Sequence, residues 1–267
     1  MKKYMSFFQI SFIHGLQYRA AAIGGIITQF AWGTLAILTY KAFYESNPNS
    51  FPMEFQSLST YLWLQQAFLS MFVVWLVRND IFESIENGNI AYELCKPLNL
   101  YTLWFVKTAA SRLSKVVLRC LPILFVAFFL PEPYGLKPPK SGVSFIWFVV
   151  TMVFGLVVVV AYCMLVYIVT FYSINSTGIR AVSSSVLEFL SGAIIPIPLL
   201  PSGIRNILEL LPFASMQNIP LRIYSGDLAG EAMYRMVGIQ VFWMIALVSL
   251  GRWWMSQSLK RVVVQGG

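Results

Sequence analysis

Charge is what this sequence has least of. Only 11% of its 267 residues are charged and 58% are hydrophobic, against the roughly 25% charged of an ordinary soluble domain. A soluble fold of this size would leave apolar patches uncovered, and such patches drive association. A mean hydropathy of +0.69 therefore places the chain in a bilayer. The same composition excludes disordered and collagenous chains. Cysteine is scarce: Cys95, Cys120 and Cys163 are odd in number and far apart, so they form neither a disulfide framework nor a zinc spacing. The single histidine, His14, leaves no His-based metal site and no Ser-His-Asp triad. No Gly-x-x-x-x-Gly-Lys-Ser/Thr run occurs, so the chain lacks that kind of phosphate cradle.

What is present is apolar sequence in long blocks. A spanning helix needs about 20 mostly apolar residues, and six segments qualify: 20–43, 56–78, 111–131, 143–172, 181–200 and 236–256. The third is awkward, because its uncharged part runs only from Cys120 to Pro131. That part rises roughly 18 Å, too little for a hydrocarbon core of roughly 30 Å. Its helix must begin near Ser111, with Lys115 and Arg119 snorkelling or facing protein. A polar turn from Ser173 through Ile174 to Gly178 separates the fourth span from the fifth. The expectation is an all-α integral membrane protein, one transmembrane domain over 1–267.

The net charge of +8, from 19 Lys and Arg against 11 Asp and Glu, would suggest nucleic acid in a soluble protein. Here it fits basic residues at the inner ends of spans, and no nucleic-acid partner is expected. With both termini in the cytoplasm, thirteen of the nineteen cations, Arg261 among them, fall inside and six outside. No cleavable signal peptide is read before Arg19, since Gln9, His14 and Gln17 interrupt the apolar character. Instead Met5, Phe8, Phe12 and Leu16 share a face, and 1–19 reads as an interfacial helix.

Polar candidates are few. Glu188 is the single acid inside an apolar span; it is either a satisfied contact within the bundle or a point on a substrate path. Lys107, Arg112, Lys115 and Arg119 lie on one broad face at the inner end of the third span, for lipid headgroups or for an entrance that attracts an anionic substrate. Between the second and third spans, Ile81, Ile85, Gly88, Tyr92 and Cys95 repeat at helical spacing, and Asp80, Glu83, Glu86 and Glu93 make 80–97 the only acidic inner segment before Pro97 stops it. A helix acidic on its wet side suits either a groove in a soluble partner or a connector lying on the membrane. On the outer side, Pro196, Pro198 and Pro201 break the chain, an apolar stripe at Ile204, Ile207, Leu208 and Leu211 follows, and 201–225 reads as a re-entrant hairpin covered by protein.

These elements in this order resemble the membrane permease of a bacterial type-2 ABC exporter, in a compact six-span subgroup. The most specific part is Glu86, Gly88, Ile90 and Leu94 running into Pro97; Leu211-Pro212-Phe213 before Pro220 and Tyr224 supports it. The resemblance implies a non-catalytic chain in the plasma (inner) membrane, moving a hydrophobic or amphipathic substrate. It implies that Asp80, Glu83, Glu86, Gly88, Ile90, Leu94 and Pro97 form a coupling helix docking on a separate ATPase subunit, which would hold the ATP and Mg. A second permease, identical or related, is also implied, with substrate passing between protomers. Phe30, Trp32, Trp63, Phe68 and Glu188 are candidates for that path. A secondary transporter or channel without ATPase, or a membrane-embedded lipid-modifying enzyme, are the alternatives.

Overall fold

The computed structural model describes residues 2–48, 51–173 and 175–260; Ile174 and Arg261 of the sequence reading lie outside the described residues. Among the described residues, twelve α-helices follow one another, with a 3₁₀ turn at Ile197–Leu199 and no strand. The order is α1 (Lys2–Leu16), α2 (Arg19–Ser46), α3 (Phe55–Ala67), α4 (Leu69–Phe72), α5 (Asn79–Glu86), α6 (Ile90–Leu94), α7 (Leu100–Phe129), α8 (Gly142–Thr170), α9 (Ser176–Leu190), α10 (Ser202–Leu210), α11 (Asn218–Ser225) and α12 (Gly230–Leu259). The all-α expectation holds.

Three helices, α2, α8 and α12, are each long and apolar enough to cross a membrane. α8 is the hub, packing against α7, α9, α11 and α12. Its uncharged, Val-rich sequence suits burial on all sides rather than on one stripe. α7 is equally long, at 30 residues, but starts at Leu100, eleven positions before the expected 111. Asn99 sets that start: its side chain accepts from the Thr102 N–H at 2.9 Å, satisfying one of the donors a helix start leaves free. Ser141 and Asn175 cap α8 and α9 in the same way.

Two expected spans are not continuous helices. Segment 56–78 is helical only to Ala67, breaks at Phe68, makes one further turn in α4 and runs irregularly over 73–78. Segment 181–200 stops at Leu190, where Gly192 takes φ +80°. Irregular backbone at membrane depth persists only where protein satisfies its polar groups. Here long side chains do so. The Arg112 guanidinium donates to the carbonyls of Met71 (2.8 Å) and Val73 (2.7 Å). Gln65 donates to the Gly192 and Ala193 carbonyls, and Gln240 to those of Thr151 and Ser215.

The packed face of α1 also differs from the expected stripe. Tyr4 and Phe7 face the core, the Tyr4 hydroxyl accepts from the Asn99 N–H at 2.9 Å, and Met5 points outward. α1 is laid along the first half of α7, a helix-on-helix contact that the hydropathy stripe does not distinguish from contact with lipid.

Candidate functional site

The acidic segment 80–97 is two helices rather than one. α5 ends at Glu86, and Gly88 at φ +70° turns the chain before α6 begins. A side chain at Gly88 would meet open space, so glycine serves the left-handed conformation that closes a helix, not a close approach. The break divides the expected stripe. Ile81, Phe82 and Ile90 are buried, whereas Tyr92 is 74% exposed and Cys95 is exposed.

The acids accordingly have separate fates. Asp80 pairs with Arg78 at 2.6 Å. Glu93, expected on the wet side, turns inward: Lys107 reaches it at 2.9 Å and the Trp104 indole donates to it. Glu83 is exposed. The Glu86 carboxylate accepts from the Ser176 N–H at 2.7 Å, at the first turn of α9. There it meets the positive end of the helix dipole and acts as a cap supplied from a distant segment. That bond, helped by the Ser176 side chain and by Arg180, lowers its pKa below the ordinary carboxylate value, with burial opposing. Arg180, one turn into α9, donates to Asn79 Oδ1 at 2.9 Å and lies 5.0 Å over the Phe82 ring. The two ends of α5 are thus tied to the start of α9. The sequence reading missed this link; its only signal was Arg180 closing the turn before the fifth span.

The four cations of α7 are not one surface. Lys107 is paired with Glu93, and Arg112, 1% exposed, is spent on backbone carbonyls. Lys115 and Arg119 instead line a cavity of about 350 Å³ between α1, α2 and α7.

The expected path residues also separate. Trp63 is 2% exposed, donates to the Tyr134 carbonyl at 2.8 Å and meets Phe30 edge-on at 5.8 Å between centroids, so this pair belongs to the core. Phe68 packs on Phe148 at 5.9 Å. Trp32, 65% exposed, is on an outward face of α2, and Glu188 is half-buried on α9. Glu188 makes no hydrogen bond or ion pair among the described residues.

α11 is buried along its whole length, packed on α8 and α3. Its Arg222 is held between Glu209 and Asp227, each at 2.5 Å. No group of three or more His, Cys, Asp or Glu side chains that could hold a metal ion occurs among the described residues.

Long apolar helices, buried irregular segments satisfied by side chains, and charge gathered at the ends define a multi-pass helical membrane protein. Residues 30–266 match the family model described as ABC-2 family transporter protein. The chain belongs to that family and is the membrane permease component of an ABC transporter. A comparison with curated proteins returned no match.

Proposed function

We propose that this chain is the permease half of an exporter driven by a separate ATPase subunit, which supplies ATP and Mg and docks on α5 and α6. α2, α8, α12 and α7 would cross the bilayer as whole helices. The α3–α4 segment and α9 with 191–200 would complete six crossings as broken ones, α10 and α11 forming the outer re-entrant pair and α1 lying at the inner boundary. Both termini would be cytoplasmic, in a bacterial inner membrane. A second permease would close the path for a hydrophobic or amphipathic substrate against the outward faces of α2 and α9, which carry Trp32 and Glu188.

The observation that carries this reading is the tie between α5 and α9. A push on α5 is delivered through Glu86–Ser176 and Arg180–Asn79 to a helix that otherwise packs on α8. Docking then falls to the exposed tip, where Glu83, Tyr92 and Leu94 are open, and transmission to Glu86. Roles that are separate in space are separable by mutation. A tagged chain purified from its native membrane should bring down an ATPase. Tyr92→Ala combined with Glu83→Lys should cut that retention about ten-fold or more, as loss of an aromatic anchor does. Glu86→Gln should keep the ATPase bound while lowering transport per ATP hydrolysed. Unchanged retention in the first variant would overturn the docking assignment.

A further inference from the structure

We infer that the cavity between α1, α2 and α7 is a binding site for the phosphate headgroup of an anionic lipid in the cytoplasmic leaflet. Its charge is unbalanced. Arg78 and Asp80 at its rim neutralise each other through a two-pronged contact at 2.6 and 3.0 Å. Lys115 makes no hydrogen bond or ion pair among the described residues. Arg119 reaches only the Ser70 hydroxyl, at 3.4 Å, and its Nε is buried without a partner. Two cations thus face one cavity with no anion to answer them. A charge withdrawn from water is costly unless paired, and a guanidinium fork beside an ammonium matches phosphate oxygens.

The site is also shaped for this. A Cβ on Gly25 of α2 would come within 2.5 Å of the Arg119 guanidinium carbon, so glycine makes the space in which that group rests. The volume of about 350 Å³ admits a headgroup, not a whole lipid: ligand pockets run from about 300 to 1,000 Å³. Beyond Arg119, on the face of α7 turned away from that side chain, Leu121, Phe125 and Phe128 are exposed and line an open, almost wholly apolar groove with Leu136. From Arg119 to Phe128 the helix rises roughly 14 Å, close to half of a hydrocarbon core of roughly 30 Å. A cavity with two unanswered cations beside a helix that exposes an apolar surface of this length stands where lipid headgroups gather, which favours the headgroup of an anionic lipid over a soluble phosphate.

The inference rests on placing these helices in a bilayer with this end inward, but not on ATPase coupling, so the two fail separately. Native mass spectrometry of the purified full chain, titrated with phosphatidylglycerol and with phosphatidylcholine of the same acyl length, tests it. Wild type should prefer phosphatidylglycerol by about thirty-fold, the effect of two cations close to an anionic surface. Lys115→Gln, which breaks no contact and does not endanger folding, should lose about five-fold of that preference. Adding Arg119→Gln should remove most of the remainder, while Lys115→Arg should retain it. Preference unchanged in Lys115→Gln, or absent in wild type, overturns the site. Displacement of the lipid by glycerol 3-phosphate at matched concentration overturns the lipid assignment in favour of a free phosphate.

Discussion

The two ends of this molecule treat a desolvated cation in opposite ways. At the end assigned outside, Arg222 of α11 is clamped between Glu209 and Asp227, and all three are nearly closed to solvent. At the other end, Lys115 and Arg119 project into a cavity where, among the described residues, the one carboxylate, that of Asp80, is already paired with Arg78. A closed set of charges fixes geometry, because removing any member strands the others. An open set waits for something to close it. The Arg222 cluster accordingly fastens buried α11 to its neighbours, and the Lys115–Arg119 pair is the place proposed for a ligand.

Arg222→Leu should have the largest effect. It leaves two desolvated carboxylates without a partner and should cost about 3–5 kcal/mol, read as a fall in the unfolding midpoint by tryptophan fluorescence. Lys115→Gln should move the same midpoint by no more than about 0.5 kcal/mol. Equal losses in the two variants would erase the contrast.

Arg112 is the next test, since it lies on the same helix as Lys115 but is closed like Arg222. Arg112→Leu frees the Met71 and Val73 carbonyls inside the bundle and should cost about 3 kcal/mol. A variant as stable as wild type would mean that the break after Phe68 does not depend on this side chain.

The smallest effect is expected at Glu86, on the solvent-exposed tie between α5 and α9. Its lowered pKa means that its contribution is present above the ordinary carboxylate range. The contribution is lost as pH falls through the folded-state value. In Glu86→Gln this part of the acid dependence should be missing when stability is followed from about pH 7 to about pH 3. Superimposable acid limbs would remove Glu86 from the tie.

How much of this was legible in the sequence differed by element. α2, α8 and α12 follow from uncharged length, because a helix satisfies its own backbone and hydropathy reports the rest. The breaks at Phe68 and Gly192 were less visible, the second only through Pro196 and Pro198. A hydropathy window does not register that Arg112, 41 positions away from Met71, holds the carbonyls that a broken helix releases. The reading of Lys107, Arg112, Lys115 and Arg119 as one broad face was silent about partners, which come from α6 for Lys107, from α4 and the irregular segment after it for Arg112 and Arg119, and, among the described residues, from none in the case of Lys115. The acidic inner segment was visible as a pattern. Its division at Gly88 was signalled by the glycine itself, whereas the inward turn of Glu93 depends on Trp104 and Lys107 arriving from α7.

ATPase docking on α5 and α6 and a headgroup site in the cytoplasmic leaflet both require the end that carries α5 and α6 to face the cytoplasm. Single cysteines at Asn89 and Lys137, both exposed, can be labelled with a membrane-impermeant maleimide in sealed inside-out and right-side-out vesicles. Position 89 should react only from the inner face and position 137 only from the outer. Labelling of position 89 from outside would contradict this orientation.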